Sequence, residues 1–120
     1  MKPGLAEPEQ REVVARGVNE TAVMRDILVA VTALPGALFF RQNVGVARTA
    51  SGTMMRFGVP GCPDIIGSYH GRFVGIEVKT RTGRQSQAQK AFELALTKAG
   101  GIYIVARSPA EAISALEALN

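Results

Sequence analysis

The chain contains one cysteine, Cys62, one histidine, His70, and no tryptophan among its 120 residues. A single thiol cannot close an intramolecular disulfide or furnish a Cys-rich zinc site, so a reducing interior suits this protein. No apolar run approaches the roughly 20 residues needed to cross a bilayer, and the opening MKPGLAEPEQ lacks the apolar core of a secretory signal. A soluble, cytoplasmic protein is the expectation. Internal repeats and low-complexity tracts are also missing, which excludes solenoids and arrays. What remains, 47% apolar and 20% charged residues, is the balance of one compact globular domain. The formal net charge of +4 and a pI near 9.7 favour a polyanionic partner.

Residues 1–18, with Pro3, Gly4, Pro8 and mixed charges, show no apolar period and are expected to form a loosely ordered lead-in to a domain spanning residues 19–120. From Asn19, a suitable N-cap, Val23, Ile27, Val31 and Leu34 recur at three- or four-residue spacing, predicting a helix that stops at Pro35-Gly36. Residues 37–43 read as a strand. The Gly-rich stretch 44–61 fits either a mobile loop or a rigid hairpin, with residues 53–57 as a short strand or hairpin arm. Two β-rich runs follow, from Asp64 to Tyr69 and from Arg72 to Thr80, joined by the turn-forming His70-Gly71, and they predict an antiparallel hairpin. Ser86 with Gln89 three residues on matches a capping box for a helix to about Ala99, and Gly100-Gly101 stops it. A buried strand over Ile102 to Ala106 and a last helix opened by Ser108-Pro109, with Ala112, Ile113, Leu116 and Leu119 facing inward, complete the chain. The order is helix, three or four strands, helix, strand, helix: a single α/β domain with a mixed β-sheet flanked by helices.

The informative stretch is Pro63 to Lys79. Side chains two apart on a strand share a face, so Glu77 and Lys79 lie together while Ile76 and Val78 face the other way. An amphipathic strand with a solvated face would account for such a pair, yet Phe73, Val74, Ile76 and Val78 mark this strand as central, where charge is expensive. Asp64 alone is a turn residue entering a strand. In an antiparallel hairpin, however, the start of one strand lies opposite the end of the other, which brings Asp64 toward Glu77. Two carboxylates there make an oxygen-rich site for a hard cation such as Mg²⁺ or Mn²⁺, completed by backbone carbonyls and water. Lys79 is placed to orient a water or to balance charge on a phosphorane-like transition state.

Pro63-Asp64 followed by Glu77-Val78-Lys79 resembles the PD-(D/E)XK nuclease superfamily, whose fold is restriction-endonuclease-like. The wider runs RFGVPGCPDIIG, GRFVGIEVKT, GRQSQAQKAF and GGIYIVARS resemble its VRR-NUC branch, in the small stand-alone form found in phages, over roughly Asn19 to Leu119. The short motif is degenerate and the longer run much more specific. The resemblance implies that Asp64 and Glu77 are metal ligands, that Val78 offers its main-chain carbonyl, and that Lys79 is the catalytic lysine. It also implies a role for Glu20 at the start of the first helix, through a water or a second ion, and for Gln89 one turn into the helix after the catalytic strand. From the residues alone Gln89 divides evenly between helix cap and site, and Glu20 suits the helix dipole. One departure is Gln87, where many relatives carry a proline after the capping residue, which bears on how the helix starts and not on chemistry.

The substrate side rests on Arg41, Arg48, Arg56, Arg72, Arg81 and Arg84, grouped in sequence around the proposed site and suited to bidentate phosphate contacts, with Asn43, Thr49, Ser51 and Thr53 as neutral contacts. Few aromatics lie among them, so stacking on single-stranded bases has little support, and His70 reads as a turn residue before a general base. Cys62 reads as a small packed residue. The resemblance implies a divalent-metal-dependent DNA endonuclease leaving 3′-hydroxyl and 5′-phosphate ends, acting on branched DNA such as a four-way junction. It further implies a homodimer, and residence in a host cytoplasm if phage-encoded. A nickase or flap nuclease of the same superfamily, or an inactive DNA-binding module, are the alternatives.

Overall fold

The structure, a computed structural model, describes residues 8–43 and 45–119. The order is α1 (Pro8–Thr32), β1 (Ala37–Arg41), β2 (Gly45–Arg48), β3 (Met54–Phe57), β4 (Ile65–Tyr69), β5 (Arg72–Val78), α2 (Gln87–Lys98), β6 (Ile102–Ala106) and α3 (Pro109–Glu117). Four strands form one mixed sheet in the order β1-β4-β5-β6; its first two pairings are antiparallel and β5 runs parallel to β6. A parallel pair needs a crossover, and α2 is that crossover. This is the α/β domain with a helix-flanked mixed sheet that the sequence predicts. Among the described residues, no helix is long and apolar enough to cross a membrane.

Strand β5 is central in the way its apolar run predicts, with every residue from Val74 to Val78 buried. Val74, Ile76 and Val78 point to one face, where Met24, Ile27 and Val31 of α1 and Ala112 and Leu116 of α3 close over them. Ile27, Val31, Ile76 and Leu116 are all 0% exposed, and burying each such side chain contributes roughly 1.5–3 kcal/mol. Helix α2 covers the opposite face only over β6, where the Phe92 and Tyr103 rings lie 6.5 Å apart. Over β1, β4 and the start of β5 that face is bare among the described residues, and Leu38, Phe40 and Phe73 are exposed there.

Both ends of α2 are set by local chemistry. The Ser86 hydroxyl accepts the Gln89 N–H, and Gln89 Oε1 accepts the Ser86 N–H at 2.8 Å, a complete capping box. Gly100, at φ +90°, ends the helix in a Schellman motif, its N–H on Thr97 O and that of Gly101 on Leu96 O.

Two differences from expectation follow from cooperativity and from turns. Helix α1 is already formed at Pro8, so Asn19 lies within it and does not cap it, and the lead-in expected over residues 1–18 is helical from Pro8 on. Residues 1–7 lie outside the described part. Proline is preorganised for a first helical position, and extending a helix anchored downstream costs no new nucleus. Stretch 44–61 contains two strands, and β2 and β3 pair as a separate antiparallel ribbon, the hairpin alternative, making five strands before α2.

Candidate functional site

The β4–β5 turn fixes everything around it. His70 at φ +49° and Gly71 at φ +80° give a two-residue turn with both centres left-handed, matching the twist of the flanking strands. Ile65 then pairs with Ile76, and the same register carried one residue further sets Asp64 opposite Glu77. Asp64 is tied in twice. Its carbonyl accepts the Gln42 N–H at 2.7 Å, and its Oδ2 accepts the Val78 N–H at 2.8 Å, so the carboxylate stands where a ladder acceptor would.

The segment leading to Asp64 is folded by its own sequence. Val59-Pro60-Gly61-Cys62 forms a turn with Cys62 N–H on Val59 O at 3.0 Å and Gly61 at φ +81°, the geometry of a type II turn with proline second and glycine third. Gly61 lies against the Ala88 carbonyl of α2, leaving no room for a Cβ. Pro63 covers Gly75 of β5, where a Cβ would come within 2.6 Å of Pro63 Cγ. Two glycines thus let this segment close on the Glu77-bearing face of β5 and on the first turn of α2.

Asp64, Glu77 and Gln89 line one cavity together with Gln42, Cys62 and Ser86. Glu77 is 4% exposed, and its Oε2 lies 3.6 Å from Lys79 Nζ. Burial first, then the charge and hydrogen bond of Asp64, push the Glu77 carboxyl up to about 8, against an opposing pull from Lys79. With no cation bound, Glu77 therefore keeps its proton near neutral pH, because two carboxylates beside one ammonium are not both favoured as anions. The Cys62 thiol is raised as well, by burial and then by Glu77 and Asp64. Burial pushes Tyr103 up to about 12.

The Glu77 value has a consequence for stability with a definite sign. At pH values between the ordinary 4.5 and about 8, the folded state holds a proton that the unfolded chain has released. Through this group, stability is greatest below 4.5, falls as pH rises to about 8, and is level above. Thermal melts in chelator across this window should show a declining Tm for wild type and a flatter profile for Glu77→Gln. Parallel profiles would contradict the assignment.

A second cavity, sharing Asp64 with the first, is lined by Glu20, Thr21, Arg41 and Val78. Glu20 is exposed on α1 and shares this cavity with Asp64, Arg41 and Val78. Among the described residues no three His, Cys, Asp or Glu side chains are grouped to hold a metal. A cation here would rest on Asp64 and Glu77 with carbonyl and water oxygens, an all-oxygen set that fits Mg²⁺ or Mn²⁺, and its binding would release the Glu77 proton. Gln89 caps its helix through Oε1, and its side chain also lines the cavity.

The arginines separate in space. Arg41 ends β1 beside the site, with Asn43 exposed just beyond, and Arg81 and Arg84 are exposed on the loop after β5. Arg48 donates to Gly52 O at 3.1 Å within its own ribbon, where the Thr49, Ser51 and Thr53 hydroxyls bond to one another. The Arg56 side chain lies outside the described part. Arg72 is at the turn end of the hairpin, far from Asp64 along the strands, and donates to Leu119 O at 2.8 Å. Its grouping with the site by sequence is therefore corrected. His70 occupies that same remote turn, its ring over Gly36. Two residues of the cavity wall carry no such sign in the sequence reading: Gln42, and Cys62, which reads there only as a small packed residue. No protein-family model matches the chain, and no curated protein matches it.

Proposed function

We propose that the protein is a divalent-metal-dependent DNA endonuclease that hydrolyses phosphodiester bonds, with a four-way junction as its preferred substrate. The observation that carries this reading is the meeting of Asp64, half-buried just before β4, with the buried Glu77 of β5, while Lys79 lies 3.6 Å from Glu77 and Gln89 lines the same cavity. Asp64, Glu77 and the Val78 carbonyl would hold Mg²⁺ or Mn²⁺. When bound, the ion supplies positive charge to the scissile phosphate and acidifies the attacking water. Lys79 orients that water and offsets charge as the new phosphorus–oxygen bond forms. Gln89, through its NH₂, and Glu20, through the adjoining cavity, hold water or phosphate oxygens in place.

Arg41, Arg81 and Arg84, exposed around the site, are the phosphate contacts we assign, with Asn43 beside Arg41. Symmetric cutting of a junction requires two active sites, hence a second copy of this chain, and the bare sheet face carrying Leu38, Phe40 and Phe73 offers apolar surface for it. The single cysteine suits action in a reducing cytoplasm. The test is a panel of labelled four-way junction, flap, nicked and linear DNAs in Mg²⁺, Mn²⁺ or EDTA. Paired symmetric cuts confined to the junction, absent in EDTA, are expected. Cuts in flap or nicked DNA alone would move the assignment to those substrates, and no cleavage of any DNA would end it.

A further inference from the structure

Arg107 follows β6 directly, and because β6 runs parallel to β5 it emerges beside Lys79: the Lys79 N–H donates to Ala106 O at 3.0 Å. Its backbone is fixed by α3, where Glu111 Oε1 accepts the Arg107 N–H at 2.7 Å while the Ser108 hydroxyl accepts the Glu111 N–H. Its guanidinium reaches back across the sheet edge, Nη2 donating to Gly83 O at 2.8 Å. Gly83 belongs to the loop between β5 and α2, in a turn closed by its own N–H on Thr80 O at 3.1 Å. The turn lies beside the Lys79 stem, about one methyl group away, since a Cβ at Gly83 would sit 3.4 Å from Lys79 Cδ and 3.3 Å from Thr80 Oγ1. The Arg107 hydrogen bond thus ends on the turn that directly follows the lysine and flanks its aliphatic stem.

A lysine stem has four rotatable bonds, and its ammonium here lies 3.6 Å from Glu77. A turn flanking Cδ limits where the stem can swing, and a guanidinium holding the turn keeps that limit in place. We infer that Arg107 is a positioning residue for Lys79, acting through Gly83 and not through contact with the substrate. This inference rests on the catalytic reading of Lys79, and it accounts for a surface arginine whose fork is turned to a backbone carbonyl. The same brace fixes the loop that presents Arg81 and Arg84, so its loss frees that loop as well.

Two independent readouts decide the matter. In Arg107→Ala, trypsin should cut after Arg81 and Arg84 at least several-fold faster than in wild type while the far-UV spectrum stays native, and Arg107→Lys should restore little, a single ammonium lacking the reach and fork of the guanidinium. On the junction, Arg107→Ala should lower kcat about ten- to a hundred-fold with KM within about two-fold, the scale of a small misplacement of a catalytic group. Gly83→Ala, which crowds Lys79 Cδ without touching Arg107, should move kcat in the same direction. In a Lys79→Ala background, Arg107→Ala should cost no further activity, since positioning is lost with the group positioned. Full additivity in that cycle, or an effect confined to KM, would overturn the inference in favour of a direct phosphate contact. Unchanged trypsin sensitivity would overturn the brace itself, and because that arm needs no turnover, it stands apart from any failure of the nuclease reading.

Discussion

Glu77→Gln is expected to lower junction cleavage in Mg²⁺ by roughly a thousand-fold, with DNA binding unchanged or tighter. The substitution is nearly isosteric, so the buried position opposite Asp64 is kept. What disappears is one of the two anionic oxygen donors and the partner of Lys79 at 3.6 Å. Removing a negative charge from a site that meets phosphates also removes repulsion, which is why affinity should not fall. Asp64→Asn should be as severe for a second reason. Its amide oxygen can still accept the Val78 N–H, now bonded to Oδ2 at 2.8 Å, so the fold is kept while the charge is lost. Single-turnover cleavage of a labelled junction, with a gel-shift titration alongside, separates chemistry from binding. Cleavage by either variant within a few-fold of wild type would remove Asp64 and Glu77 from the centre of the reaction.

Gly61→Ala is expected to cost about 2–4 kcal/mol of stability and to reduce cleavage about a hundred-fold in the surviving folded protein. Two penalties combine. At φ +81° an L side chain is strained by roughly 1–2 kcal/mol, and the new methyl group points into the Ala88 carbonyl, a backbone atom that cannot rotate away. The relief available is for the 59–63 turn to lift from α2, and that turn carries Cys62 and Asp64 while α2 carries Gln89. The cavity therefore opens along the seam where its two carriers meet. Urea melts give the stability term, and activity measured well below the midpoint gives the second. A stable variant with wild-type cleavage would show that the seam tolerates separation.

The parts of this architecture that a linear reading recovers are those whose cause is local. His70-Gly71 dictates a turn, the turn dictates register, and register brings Asp64 to Glu77; each step spans a few residues. The same holds for Ser86 and Gln89, whose spacing is the cap. Contacts made across parallel strands leave no such trace. Arg107 reads as any charged residue after a strand until β6 is known to lie beside β5, and Arg72 reads as near the site because its number is close, although the hairpin carries it to the opposite end. The start of α1 at Pro8 escapes for a different reason: its first turns inherit stability from the buried part downstream, which periodicity does not register. Gly61 and Gly75 were visible as glycines, but what they admit, a carbonyl and a proline ring, is a fact of tertiary approach.

Parallel pairing of β5 with β6 also orders events in time. Chain leaving a ribosome closes the β4–β5 hairpin first, because its ends are joined by two turn residues, whereas β6 must wait for α2 to be made and docked. A nascent molecule thus holds its acidic pair well before the strand that delivers Arg107 exists. On the assignments made above, the carboxylate pair is therefore in place before the strand that braces Lys79, and the site is complete only once α2 and β6 have followed β5 into the fold.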